Sequence, residues 1–282
     1  MMKKIFGLCK LLRFELPLAA GICVLLGQMF ALSGIASLSR TVAGFLSVFL
    51  ISASILVMND YFDVESDRIN APERPIPSGL VSPGEALFFS LFLLLGGLVI
   101  SGLLGTIAFL ISLGLAVIGF LYNRYFKRTG LPGNMMVSLS VGTTFVYGGA
   151  SVGYPFHKTV VLFGLIAALI DLGEEIAADA MDMEGDKLIS SNSLAIKWGR
   201  GVALKVSAVV FSIVVLLTLV PFILKWFTVI YLIPILVMDA AIVVSTLKLL
   251  LSPQDGRKYI RVLYLGATLG LVLFLLMRLA GV

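Results

Sequence analysis

Two stretches hold most of the side chains able to do chemistry. The first reads Asn59-Asp60-Tyr61-Phe62-Asp63-Val64-Glu65-Ser66-Asp67, followed by Glu73 and Arg74. The second begins at Asp171, passes Glu174 and Glu175, and ends Asp179-Ala180-Met181-Asp182-Met183-Glu184-Gly185-Asp186-Lys187. Twelve of the sixteen acids lie in these two windows. At about 100° per residue, Asn59, Asp63 and Asp67 share one helical stripe, and Asp171, Glu175, Asp179, Asp182 and Asp186 share another. Like charges one turn apart repel, and a carboxylate at the centre of a membrane span costs about 2.5–3.5 kcal/mol. Cationic partners must offset this. Aligned carboxylates and an amide oxygen are hard donors of the kind that suits Mg²⁺. A single histidine and two cysteines without ligand spacing argue against zinc or iron. Because Mg²⁺ usually shares its sphere with water and phosphate oxygens, the pattern points to Mg²⁺ ions holding a diphosphate between two acidic helices. The chemistry this serves is departure of diphosphate, with charge on the leaving oxygens neutralised. Arg13, Arg74, Tyr122 and Lys127 are candidate partners for the phosphate oxygens.

The elements that must position these residues are membrane helices. Of 282 residues, 59% are hydrophobic and 13% charged, and the mean hydropathy is +1.07. A soluble domain is about a quarter charged, so an ordinary soluble enzyme is excluded and the fold class is an all-α polytopic membrane protein. Crossing about 30 Å of hydrocarbon takes roughly 20 residues. Apolar segments of that order lie near 15–36, 41–59, 86–104, 106–122, 134–152, 159–178, 202–222, 227–248 and 259–280. Nine helices around a central cavity, forming one domain over 1–282, are expected. Eight is the alternative if the Gly102–Gly105 stretch is not a turn. With nine, seventeen of the twenty-one Lys and Arg fall on one side, leaving Arg40, Lys158, Lys225 and Arg278 on the other. Cations mark the cytoplasmic face, so the N-terminus and both acidic windows are expected there. The net charge of +5 then reflects orientation rather than nucleic-acid binding. Cys9 and Cys23 read as packing thiols, His157 as a loop residue, and Asp239, within the eighth segment, as a structurally paired carboxylate.

With Asn-Asp-x-x-Asp-x-x-x-Asp at 59–67, Arg74-Pro75 after it and Asp-x-x-Asp-x-x-x-Asp at 179–186, the chain resembles the UbiA superfamily of intramembrane prenyltransferases over nearly its whole length. The resemblance implies that Asn59, Asp63 and Asp67 form one metal-binding motif, with Asp182 and Asp186 in the other. It also sets Arg74, Tyr122 and Lys127 near a diphosphate, and Asn134 and Lys187 among the substrate-binding residues. The second motif is most similar to the archaeal ether-lipid branch, although Glu174 and Ala178 stand where that branch frequently carries Arg and Lys. Members of that branch transfer a geranylgeranyl group to the hydroxyl of geranylgeranylglyceryl phosphate.

On this reading Mg²⁺ draws off the diphosphate of a polyprenyl donor, and a lipid-like acceptor attacks the allylic carbon. Asp63 and Asp182 act through the metal, while Asp179 is a candidate to take the acceptor's proton. Lys187 or Arg13 is a candidate for the acceptor phosphate. The apolar tail would lie between helices whose 28 glycines permit close packing. Phe88, Phe89 and Phe92 are candidates to line its path, against the commoner alternative that such residues pack or face lipid. Membrane lipids are expected partners; nucleic acid and an obligatory protein partner are not. Two alternatives stay open. One is a related enzyme acting on an aromatic quinone precursor or a tetrapyrrole. The other is an ion-coupled transporter using the membrane acids as a cation site.

Overall fold

The computed structural model describes residues 2–188 and 191–281, with side chains for all of these except Met2 and residues 186–188. Thirteen α-helices follow one another: α1 Met2–Leu11, α2 Glu15–Leu32, α3 Leu38–Phe62, α4 Val64–Asn70, α5 Pro83–Leu104, α6 Thr106–Leu121, α7 Leu131–Ser151, α8 Lys158–Met181, α9 Met183–Leu188, α10 Leu194–Trp198, α11 Arg200–Ile223, α12 Leu232–Leu251 and α13 Gly256–Leu279. Nine of them (α2, α3, α5 to α8 and α11 to α13) coincide with the nine apolar segments expected from sequence. Between α5 and α6 the backbone of Gly105 adopts φ 139°, ψ 165°, a conformation open to glycine and closed to bulky residues. The chain therefore turns there instead of continuing as one helix.

Seven of the long helices are apolar enough to cross a membrane by length and composition. The other two, α7 and α8, carry Asn134, Ser138, Asp171, Glu174, Glu175 and Asp179. Polar residues in α7 and the run of acids in α8 set these two apart from the others. Consecutive helices are neighbours from α2 through α3, α5, α6, α7, α8, α11, α12 and α13, and α13 returns against α2 to close a ring. α2 also crosses α7 within it. The protein is thus a multi-pass helical membrane protein.

Helix association in lipid relies on close backbone approach rather than on apolar burial. A Cβ added at Gly27 would stand 2.4 Å from the Phe145 carbonyl, and one at Gly148 would stand 2.3 Å from that of Val24. At the α7–α8 crossing, a Cβ on Gly142 would lie 2.4 Å from the Gly164 carbonyl. Buried hydroxyls close their own hydrogen bonds in the same region: Tyr147 joins Ser47 and Ser101, and Ser101 meets Ser112 at 2.8 Å. At the end of the ring opposite the two acidic windows, Phe30, Phe145, Phe163, Phe227 and Phe274 pack ring against ring.

The fold also settles several residues outside the site. Thr218 donates to Asp239 at 2.9 Å between α11 and α12, in keeping with a structural pair. Cys23 is buried and Cys9 exposed, and both are free thiols. Phe88 and Phe92 do not line an interior path. They are 73% and 66% exposed on the outer face of α5, beside α1. Neighbouring Lys4 of α1 pairs there with Glu85.

Candidate active site

The first acidic window is not one unbroken helix. α3 ends at Phe62, Asp63 adopts φ −89°, ψ 2°, and α4 starts at Val64. The one-turn ladder nevertheless runs through the break, with Asp63 N–H donating to the Asn59 carbonyl at 3.0 Å and Asp67 N–H to that of Asp63 at 2.8 Å. The expected Asn59–Asp63–Asp67 stripe therefore survives as a bent one. Residues in this sparsely populated backbone region are frequent at active sites.

Cations from three other segments converge on these acids. Lys127 pairs with Asp63. Arg74 makes a two-pronged hydrogen bond to Asp67, at 2.8 and 2.7 Å, and stands 3.9 Å from Asp60. Arg13 pairs with buried Asp60. The positive φ of 44° at Arg13 marks the corner between α1 and α2. Burial alone would lower the pKa of the Arg74 guanidinium. Asp67, then Asp60 and Asp63, more than offset it and hold that pKa above its ordinary value. Arg74 is a fixed cation on a stiff Pro-containing loop. Arg13, a candidate phosphate ligand from its sequence, pairs here with Asp60, an acid off the Asn59–Asp63–Asp67 stripe.

Tyr122 and Lys127 are five residues apart and would sit about 140° from one another on an α-helix. Here residues Tyr122–Phe126 form a π-turn, with Lys127 N–H donating to the Tyr122 carbonyl at 2.9 Å. The wider turn brings the phenol and the ammonium toward one side. Asn123 within it was not anticipated; its amide oxygen accepts from Asn59 at 2.8 Å and its nitrogen donates to the Ile55 carbonyl at 3.3 Å. With its amide turned over, Asn59 donates to Asp63 and accepts from Lys127, both at 3.1 Å.

Across from them lies α8. Tyr122 is within electrostatic reach of Glu175, Asp179, Asp63 and Asp171, and Lys127 of Glu175. Asn134 of α7 donates to Asp179 at 2.8 Å, and Ser138, one turn on, donates to Asp171 at 3.0 Å. Arg200 caps the end of α8, its Nε donating to the Ala180 carbonyl at 2.9 Å. The structure thus brings together Asn59, Asp63, Asp67, Arg74, Tyr122, Lys127, Asn134 and Asp179 at one end of the ring.

Asp182 departs from its expected stripe. α8 ends at Met181, Asp182 takes φ −102°, ψ 13°, and its exposed carboxylate pairs with Arg257 of α13 at 2.5 Å. Asp171, Glu175 and Asp179 face α7 and the π-turn, whereas Glu174 and Asp182 face α13. The side chains of Asp186 and Lys187 lie outside the described residues.

Asn59, Asp63 and Asp67 offer amide and carboxylate oxygens suited to a hard divalent cation. Among the described residues no three of His, Cys, Asp and Glu converge closely enough to hold a metal by themselves. An ion at these oxygens would complete its sphere with water or phosphate, as Mg²⁺ does at phosphate sites. Acidic oxygens interleaved with Arg and Lys forks form an arrangement that can accept such an ion together with a polyanion.

Known proteins share this fold. A digeranylgeranylglyceryl phosphate synthase from Natronomonas pharaonis is 34% identical over 274 residues, covering 96% of this chain and 98% of that one. A solved structure concerned with digeranylgeranylglyceryl phosphate synthase in membranes superposes with TM-score 0.79 at 31% identity, over 96% of this chain and 98% of the other. A UbiA homolog from Archaeoglobus fulgidus, bound to DMAPP and Mg²⁺, shares the fold with TM-score 0.66 at 20% identity, over 94% and 98% of the two chains. The UbiA prenyltransferase family profile matches residues 20–280. The chain belongs to the UbiA prenyltransferase family and is a prenyltransferase.

Proposed function

We propose that this single intramembrane domain transfers a geranylgeranyl group from geranylgeranyl diphosphate to the hydroxyl of geranylgeranylglyceryl phosphate, in archaeal ether-lipid synthesis, with Mg²⁺ as cofactor. The observation that carries the reading is the gathering of Asp60, Asp63 and Asp67 with Arg13, Lys127 and Arg74 opposite Asp179. The names of relatives such as the Natronomonas enzyme support the acceptor, and the Archaeoglobus homolog supports the metal.

Asn59, Asp63 and Asp67 would hold an ion, and Asp182 and Asp186 of the second motif are the further proposed ligands. Bound there, Mg²⁺ neutralises charge on the departing diphosphate. The protein's own groups do the rest. Lys127 and Arg74 already stand at the carboxylates, and a bound donor would offer both cations phosphate oxygens as partners. Tyr122 hydrogen-bonds the same anion from the π-turn. Asp179, held by the Asn134 amide, takes the proton of the acceptor hydroxyl as the new C–O bond forms. Placing the acidic ends on the cytoplasmic side supplies both substrates from that face. The reaction so written requires no obligatory protein partner.

The test is direct. Purified protein is incubated with labelled geranylgeranyl diphosphate, Mg²⁺ and a panel of glyceryl, aromatic and tetrapyrrole acceptors. Product with the glyceryl phosphate alone is the expected outcome, and preference for an aromatic acceptor overturns the acceptor assignment. Ion flux across sealed liposomes without donor would favour a transporter instead.

A further inference from the structure

We propose that the groove between α8 and α13 is the docking site for the phosphate headgroup of the acceptor lipid, with Arg257 and Arg261 as its anion ligands. This rests on the reaction assigned above. The groove encloses about 370 Å³. Arg257, Arg261 and Tyr264 line it from α13, and Glu174, Ala178 and Asp182 line it from α8.

Residues four apart on a helix point the same way, so both guanidinium groups are directed into one cavity. Cations in the first turns of a helix oppose its macrodipole, yet Arg257, Lys258 and Arg261 all fall within the first six residues of α13. A bound anion would relieve that cost. Orientation in the membrane requires cations on this face, but it does not require them to line a cavity. Arg257 has an exposed partner in Asp182, and Arg261 has no ion pair among the described residues. Planar forks of this kind match phosphate oxygens two at a time.

The depth order fits one class of ligand. Along α13, Tyr264 lies about 10 Å beyond Arg257, at 1.5 Å per residue. Along antiparallel α8, Glu174 lies about 12 Å beyond Asp182. The arginines thus mark the rim, while a carboxylate and a phenol mark the interior. Ala178, between Glu174 and Asp182 on the groove wall, leaves room for a headgroup. A phosphate monoester satisfies the rim, where Arg257 and Arg261 donate to its oxygens, while the rest of the headgroup extends past Tyr264 and Glu174 toward the interior. Asp182 belongs to this wall and to the second acidic motif, so a molecule docked here abuts the reacting centre.

The experiment compares the wild-type protein with Arg261→Ala and Arg261→Lys, using geranylgeranylglyceryl phosphate and its dephosphorylated glyceryl ether as acceptors. Arg261→Ala is expected to raise the acceptor KM at least tenfold, leave the donor KM unchanged, and erase the preference for the phosphorylated acceptor. Arg261→Lys should fall between. An unchanged acceptor KM in Arg261→Ala overturns the proposal. An equal rise in donor KM also overturns it, by assigning the groove to the diphosphate. A second arm measures retention of the labelled glyceryl ether phosphate without donor, competed by inorganic phosphate. Loss of retention in Arg261→Ala supports the groove, and retention equal to wild type overturns it. Because this arm needs no turnover, a protein that binds the lipid but never prenylates it sinks the assigned reaction and leaves the groove standing.

Discussion

The two acidic motifs share a backbone device and differ in everything around it. In each, a long helix ends one residue before an aspartate in the bridge region, Asp63 at φ −89° and Asp182 at φ −102°. Each of these residues donates its N–H to the carbonyl four residues back, at 3.0 Å. Around Asp63 the neighbouring carboxylates are buried and matched by cations from α1–α2, the 71–82 loop and the end of α6. Around Asp182 the pair is open to solvent, with the Asp and Arg257 side chains 52% and 79% exposed. Exposed pairs contribute little to stability, whereas removing one member of a buried pair strands its partner. The difference teaches that one half of the site is built into the fold, while the other takes its working arrangement from what binds.

Changes that separate the halves sharpen or break this comparison. The largest effect is expected at Asp63→Ala, with prenyl transfer falling by on the order of 10²–10³, the scale of losing one preorganised charge-stabilising group. Chelation of divalent ions should abolish turnover in the wild type, and added Mg²⁺ should restore it. Asp182→Ala is expected to lose about 10² in rate while its unfolding free energy stays within about 0.5 kcal/mol of wild type. A marked thermal destabilisation there would mean that both halves are structural.

Asp60→Ala tests the opposite corner. It strands Arg13 and should cost about 1–3 kcal/mol of stability in detergent-based thermal unfolding, before any effect on the donor. Arg74→Lys keeps the charge but loses the fork on Asp67, and a donor KM raised about tenfold is expected. Asp239→Asn touches neither motif. Its cost should remain below about 1 kcal/mol with turnover unchanged, and a lost rate would show that the site reaches α12.

Much of this was legible before any coordinates, because membrane helices are announced by length and apolarity. All nine long helices fall on the expected segments, and the two acidic windows lie at the ends of α3 and α8. Local breaks were less legible. The bends at Asp63 and Asp182 leave the one-turn hydrogen bonds in place, so no breaker residue marks them. The π-turn at Tyr122–Phe126 swaps a one-turn bond for a five-residue one, and no residue type in Tyr-Asn-Arg-Tyr-Phe announces it. Long-range pairing was least legible. Asp60 sits beside Asn59 yet points to Arg13, 47 residues away. Arg257, 75 residues from Asp182, counted in sequence only toward membrane orientation. Asn123 carried no signal beyond being polar near the end of a span.

The glycine crossings bear on mechanics. Gly27 against Gly148 and Gly142 against Gly164 join α2, α7 and α8 at and beyond the middle of these helices, on the side away from the acids. Where backbones touch, no side chain can yield, so these points act as a rivet. Tongs riveted near one end open at the other. Any rotation about these crossings would displace the charged ends of α7 and α8 more than the ends packed by the aromatic cluster.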